Sequence, residues 1–286
     1  MNSARVYFYI FCGVICMATS SIIIRFSAAP ALIIAMYRVL ITSLLAGLIA
    51  NRAVVYKLRT TNKHDLLLTV VAGVFLALHF AFWIVSLRHT SIPSSVLFTN
   101  LQVIFVLFFS IFILREPVSR WITGGIVLAL AGSGLIALGD VSAGRLLGDI
   151  LALLSGFFIA VYFIISRYLR PRVETWPYTS MVSLVAGIVL LAAAAIMGFP
   201  FGGYGNKEWL LFFLLALGPG IAGHGVLNWA LKYVKAPIVA VSVLGESVGA
   251  SILAYIFFKE ILLSYQLIGA GMILLGIYIC MAGESN

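Results

Sequence analysis

Two forty-residue stretches decide the fold: residues 93–132, PSSVLFTNLQVIFVLFFSIFILREPVSRWITGGIVLALAG, and residues 237–276, PIVAVSVLGESVGASILAYIFFKEILLSYQLIGAGMILLG. At a constant offset of 144 residues they align without a gap. Pro93 meets Pro237, Arg115-Glu116 meets Lys259-Glu260, Gly125 meets Gly269, Leu130 meets Leu274 and Gly132 meets Gly276. Each stretch opens on a proline, runs through an apolar segment, reaches a basic residue followed by Glu, and enters a second apolar segment punctuated by glycines. Self-similarity at a fixed offset marks an internal repeat. Upstream the match weakens, although Gly13 and Gly156 take similar places with a one-residue shift.

The rest of the chain reads in the same way. Of 286 residues, 63% are hydrophobic and only 9% charged, with a mean hydropathy of +1.15, whereas a soluble domain carries about 25% charged residues. A water-soluble globule is excluded, because there is too little polar surface to cover it. Lipid is the solvent that such a surface implies. A spanning barrel would alternate polar and apolar residues, but the runs here are continuous, so the spans are helices.

Ten candidate spans follow from the need for about 20 apolar residues per crossing: 6–24, 31–49, 66–87, 93–114, 121–138, 146–166, 178–197, 210–231, 237–258 and 265–282. Their short gaps predict that consecutive helices are antiparallel neighbours. The repeat places a first half at 1–140 and a second at 146–283. Ser27-Ala28-Ala29 after the first span has the small residues of a cleavage site, but the apolar run before it is longer than a signal peptide needs, so a retained helix is expected.

Basic residues give the orientation. With the amino terminus in the cytoplasm, twelve lie in inside loops (Arg5; Arg52, Lys57, Arg59, Lys63; Arg115, Arg120; Arg167, Arg170, Arg172; Lys232, Lys235) and five outside (Arg25, Arg88, Arg145, Lys207, Lys259). That bias puts both termini in the cytoplasm and accounts for the net charge of +9 without nucleic acid. Cys12, Cys16 and Cys280 lie inside apolar runs and are read as packing residues, not a disulfide framework. A repeat of five spans makes the second copy enter the membrane upside down, related to the first by a pseudo-two-fold axis in the membrane plane. Such an architecture suits alternating access to a central site.

The proline-opened helix, the basic-Glu pairs Arg115-Glu116 and Lys259-Glu260, and the glycines Gly125, Gly132, Gly269 and Gly276 resemble the EamA repeat, present twice. With Arg38 inside the second span, the whole chain is similar to the ten-helix branch of the drug/metabolite transporter superfamily. The resemblance implies an all-α membrane protein of two inverted five-helix EamA repeats that acts as a transporter; it does not single out a substrate. The chain departs from the family where many members have Pro at the position of Gln102 and Glu-Pro at Glu246-Ser247.

Residues at mid-depth carry the site prediction. Glu246 lies nine residues into its span, about 14 Å along a helix, and a carboxylate there is expected to face the bundle interior, binding a cationic group or exchanging protons. Its repeat mate is Gln102. Around it, Gly245-Glu246-Ser247-Val248-Gly249 is a GxxxG, whose glycines suit close helix packing. His79 and Trp83 share a helix face at i, i+4 spacing, with Phe75 and Ser86 a turn away on either side. His224 and Asn228 repeat that spacing after Gly218-Pro219-Gly220, which should loosen the eighth span. Arg38 needs a partner in its span: a substrate carboxylate, Glu246 or backbone carbonyls. Asn100 is read as an interhelical hydrogen bond, Tyr37 and Tyr162 as packing residues with cavity lining as the alternative, and Glu116 and Glu260 as interfacial caps and anchors.

No HExxH, GxxxxGK[ST] or CxxC motif is present, and neither an enzyme, a metal site nor a cofactor is expected. The sequence is read as an inner-membrane carrier that exports a small organic metabolite such as an amino acid, with a cavity between spans 1, 3, 4, 6, 8 and 9. Its substrate site comprises Glu246, Gln102, His79, Trp83, His224, Asn228 and Arg38. Its partners are the lipid bilayer, the small-molecule substrate and, in a rival reading, protons driving export of cationic drugs; monomer and homodimer both stay open. An ion channel is the rival of another class, although no filter-like loop or ring of charges is visible.

Overall fold

In the computed structural model, residues 3–51, 56, 60–86, 89–90, 92–137, 146–259 and 263–284 are described. Arg52, Lys57, Arg59, Arg88, Arg145 and Glu260, named above, lie outside them, as do the span ends at 87 and 138. Among the described residues there are ten helices long and apolar enough to cross a membrane: α1 (Ser3–Arg25), α2 (Ala31–Ala50), α3 (Lys63–Ser86), α4 (Ser94–Phe112), α5 (Arg120–Ala137), α6 (Leu146–Leu169), α7 (Thr175–Ile196), α8 (Asn206–Ala230), α9 (Ala236–Phe258) and α10 (Ser264–Glu284). No strand occurs among these residues. Large apolar side chains such as Leu48, Phe112, Ile196 and Tyr278 point outward, as lipid-facing positions do.

The helices pack mainly across the two halves. The most extensive contacts join α5 to α10, α3 to α6 and α2 to α7, followed by α3 with α7 and by α1 with α8 and α9. Consecutive helices touch far less, contrary to what the short loops predict. Loop length sets which helices are near in sequence, but small residues decide where backbones approach. Exchanging α1–α5 with α6–α10 maps the contacts onto one another: α1 with α8 becomes α6 with α3, α1 with α9 becomes α6 with α4, and α2–α7, α4–α9 and α5–α10 map onto themselves. This is the pattern of an inverted repeat.

Glycines make the self-paired crossing of α5 and α10. A Cβ on Gly125 would lie 2.5 Å from the Gly276 carbonyl oxygen, and one on Gly132 would lie 2.5 Å from that of Gly269. Gly125 pairs with Gly276 and not with its own repeat mate Gly269, as a two-fold axis between antiparallel helices requires. Cys280 packs in this seam, fully buried, with its Sγ 3.2 Å from the Ile122 carbonyl.

Three spans are interrupted at depth. α4 breaks at Leu101, between Ile92–Asn100 and Gln102–Phe112, and α9 breaks at Leu244, between Ala236–Val243 and Gly245–Phe258. Both breaks tighten to bonds three residues back: Leu101 N–H to Phe98 O and Ile104 N–H to Leu101 O in α4, Leu244 N–H to Val241 O and Ser247 N–H to Leu244 O in α9. The two breaks fall within a residue of each other in the repeat register. In α8 the segment Ala216–Gly225 is π-helical around Pro219, so the loosening expected from Gly218-Pro219-Gly220 takes the form of a wider turn.

Candidate substrate site

Arg38 projects from the middle of α2 and is 5% exposed. Its Nη1 donates to Ser20 Oγ of α1 at 3.2 Å, and its guanidinium lies 4.9 Å from the ring centre of Phe80 on α3. No carboxylate stands within 4 Å of it among the described residues. Glu246 follows directly on the break in α9 and is half-buried. The two charges are near enough to act on each other through space without forming an ion pair. Two ionisable groups held at mid-depth without direct contact are a costly arrangement.

Phe80 joins this charge to the two histidines. The His79 and Phe80 ring centres are 5.0 Å apart, and His224 meets Phe80 edge-on at 6.2 Å. His79 Nδ1 lies 2.8 Å from Ser155 Oγ on α6, which fixes the imidazole. Its ring stacks with that of Trp83 at 6.4 Å and an interplanar angle of 2°, so the i, i+4 face exists in three dimensions. Phe75 from the same face packs against Phe158, and Ser86 turns away to Ser95 Oγ at 2.6 Å.

Asn228 is already engaged. Its Oδ1 accepts from Tyr162 Oη at 2.8 Å and its backbone carbonyl accepts from Arg170 Nε at 3.0 Å. Arg170, just past the end of α6, also donates to the Val173 carbonyl and to Thr175 Oγ1. Burial brings its pKa down to about 10, opposed by Tyr178, Tyr162, Tyr233 and Glu174, so the charge persists at neutral pH.

Two clefts meet at Arg38 and Phe80. The first, the more polar of the two, has Thr42, Tyr162, Thr179, His224 and Asn228 in its walls beside Val39 and Leu76; the second is apolar, with Ile24, Ile34, Trp83 and Ile84. Arg38, His224, Asn228 and Trp83 are therefore brought together, with His79 stacked behind. Gln102 is not: it is 3% exposed, its Oε1 has no partner, and neither it nor Glu246 lines either cleft. Among the described residues α1, α2, α3, α6, α7 and α8 form the walls, so α2 and α7 take the places expected for α4 and α9. The reason lies in the cross-half packing, which sets α2 against α7 and α8 while α4 packs against α6 and α9.

Asn100 makes the interhelical bonds expected of it, to Ser133 Oγ on α5 at 3.2 Å and Ser247 Oγ on α9 at 3.3 Å. Gly249 and Gly245 seat α9 on Ala18 and Val14 of α1, which gives the GxxxG its packing role. Phe80, Thr179 and Ser155 were not legible as site residues. Phe80 adjoins His79 in sequence and so falls on another helix face, and isolated Ser and Thr residues in apolar spans carry no periodic signal.

At the face where the termini lie, Glu116 Oε1 accepts from Arg167 Nε at 2.7 Å and Glu116 Oε2 from Ser110 Oγ at 2.7 Å, while Arg167 Nη1 reaches the Leu231 carbonyl at 2.5 Å. Glu284 Oε1 accepts from the Lys235 N–H at 2.9 Å and its Oε2 from Tyr7 Oη at 3.3 Å. These bonds knit α1, α4, α6, α10 and the α8–α9 turn together.

Among the described residues, ten helices long and apolar enough to cross a membrane, paired across two halves as an inverted repeat, make an architecture that suits a transporter. The chain belongs to the EamA-like transporter family, which matches residues 4–138 and again residues 146–282. It is 28% identical over 222 residues to an uncharacterized transporter of Archaeoglobus fulgidus, an alignment covering 78% of each chain. A solved protein crystal structure shares the fold at a TM-score of 0.82 and 18% identity, over 99% of both chains. The protein is a multi-pass membrane protein and a transporter of the EamA type.

Proposed function

We propose that this transporter is a secondary carrier of small amphiphilic metabolites, amino acids in the first place, working by alternating access and exporting them across the inner membrane. The observation that carries the reading is Arg38, a buried guanidinium without a carboxylate partner, placed where a polar and an apolar cleft meet and within the field of Glu246. A zwitterion matches that pair: its carboxylate bridges to the guanidinium, its ammonium faces Glu246, and an apolar side chain lies against Phe80 and Trp83. Charges drawn from separate helices bind such a solute only while the helices converge, which couples binding to closure.

Export and the cytoplasmic placement of both termini rest on different supports. The resemblance favours outward movement, and the excess of basic residues at the terminal face favours the orientation. Glu246, whose carboxyl group makes no hydrogen bond among the described residues and which sits in the first turn after the break in α9, also supports a second reading, in which it exchanges protons and the cargo is a cationic drug.

Proteoliposomes preloaded with unlabelled amino acids test the first reading by counterflow of the labelled amino acid. Wild-type protein should accumulate label, and Glu246→Gln and Arg38→Met should not. Counterflow unchanged in both variants would sink the site. Uptake of an organic cation driven only by an imposed pH gradient, with no amino-acid counterflow, would install the second reading.

A further inference from the structure

We propose that the polar cleft between α2, α3, α7 and α8 is an internal hydration site whose ligand is water, held by Arg38, Thr179 and His224. Among the described residues three buried side-chain atoms lack a hydrogen-bond partner: Gln102 Oε1, Thr179 Oγ1 and His224 Nδ1. The last two line one cleft. Buried polar atoms without partners are uncommon because each carries its full desolvation cost, and two around one space point to a guest that bonds to both.

The third group is Arg38, in the wall of the same cleft. A guanidinium has five N–H donors, and among the described residues Ser20 is its one hydrogen-bond acceptor. Neither Thr42 nor Tyr162 accepts from it: the Thr42 hydroxyl donates to the Arg38 carbonyl at 2.7 Å, and the Tyr162 hydroxyl donates to Asn228 Oδ1. A water molecule balances this set: its oxygen accepts from an Arg38 N–H and from the Thr179 hydroxyl, and one of its hydrogens goes to His224 Nδ1, three bonds, the usual number for a buried water.

Size and charge select water over other guests. The cleft has free room for about one water molecule, too little for a metabolite. Its α2 and α8 walls approach closely, since a Cβ on Gly220 of the π-helical segment would collide with the Thr42 side chain. Glu246 acts electrostatically on the same guanidinium, so an anion gains less here than it would beside an isolated arginine. The site thus solvates the rear of Arg38 whichever solute is carried in front.

Two experiments on the purified full-length protein test this without any substrate. Radiolytic hydroxyl labelling, begun just after mixing into ¹⁸O water, should oxidise His224 or Tyr162 with ¹⁶O retained from the slowly exchanging internal water. Absence of label on both residues overturns the proposal. In a thermal-unfolding cycle, Thr179→Val keeps shape and removes the hydroxyl; it and His224→Phe should each lower Tm by about 2–4 °C. The double variant should fall no further than the worse single one, because both lose the same guest. Additive losses, or a Tm unchanged or raised by Thr179→Val, overturn it by showing a dry cleft. A wild-type Tm that rises when gluconate is replaced by chloride at constant ionic strength overturns it in favour of a bound anion. If either variant fails to fold, the labelling of the wild-type protein decides.

Discussion

Gly125 of α5 and Gly276 of α10 face one another so closely that each carbonyl oxygen stands 2.5 Å from the place a Cβ would take on the other. The same crossing repeats at Gly132 and Gly269. Backbones at this distance gain dispersion contacts that no side chain could leave room for. Gly276→Ala should therefore cost about 1–3 kcal/mol of stability, the range for overpacking. Gly271 and Gly124, on the same two helices, have nothing within 4 Å of the added carbon, and their alanine variants should be neutral or gain up to about 1 kcal/mol of helix propensity. Unfolding in detergent separates the two classes. Equal losses at Gly276 and Gly271 would show that the seam is not tight.

The basic residue of the repeat's basic-Glu pair has a backbone role. Arg115 and Lys259, 144 residues apart, are exposed and adopt φ of 54° and 57°, the left-handed region that side chains disfavour by about 1–2 kcal/mol. Lys259 is the C-cap of α9, and Arg115 lies just beyond the end of α4 at Phe112. Arg115→Gly and Lys259→Gly should leave stability unchanged or raise it by about 1 kcal/mol, whereas β-branched Arg115→Val should lower it. Paired thermal melts of the glycine and valine variants check the order, and a reversed order would assign these residues a side-chain function.

Composition and the offset between residues 93–132 and 237–276 made the ten spans and the inverted repeat legible, because hydrophobic length and glycine spacing are local properties. The partner of each helix was less so. Gly125 meets Gly276 and not Gly269, a fact of symmetry that no single helix encodes. The site was half legible: Arg38, His79, Trp83, His224 and Asn228 announce themselves as polar or aromatic residues in apolar runs, and the structure gathers them. Their organiser, Phe80, is one of twenty phenylalanines, and nothing in its flanking residues distinguishes it. Depth alone also placed Gln102 with Glu246, whereas rotation about the helix axis, which sequence sets only weakly in an apolar span, keeps Gln102 out of both clefts.

Arg170 should prove the most sensitive cation outside the spans. It serves the Asn228 carbonyl, the Val173 carbonyl and Thr175 Oγ1 at once while 2% exposed, and a lysine ammonium cannot copy that planar fork. Arg170→Lys should lose about 2–3 kcal/mol, as hydrogen bonds to a charged group are given up. Thr175→Ala removes one acceptor and should lose less. Circular-dichroism melts of the two variants test the ranking, which an equal or inverted effect would contradict.

Glu116 and Arg167 bind α4 to α6 at the face of the termini, with side chains 14% and 21% exposed. The proposed alternating access requires one face to separate when the other closes, and the Arg167 bridge to both Glu116 and the Leu231 carbonyl spans helices that would then have to part there. Removing one charge leaves the other poorly solvated, so Glu116→Gln should weaken this closure by about 1–3 kcal/mol, equivalent to roughly a 5- to 150-fold shift toward the state open at that face. The shift is readable in a protein lacking its native cysteines and carrying Leu231→Cys, a position fully buried in the closed arrangement. Its modification by a water-soluble maleimide should accelerate when Glu116→Gln is added, and the exchanged pair Glu116→Arg with Arg167→Glu should return part of the protection. An unchanged rate would mean that these helices stay together through the cycle and that the opening runs between others.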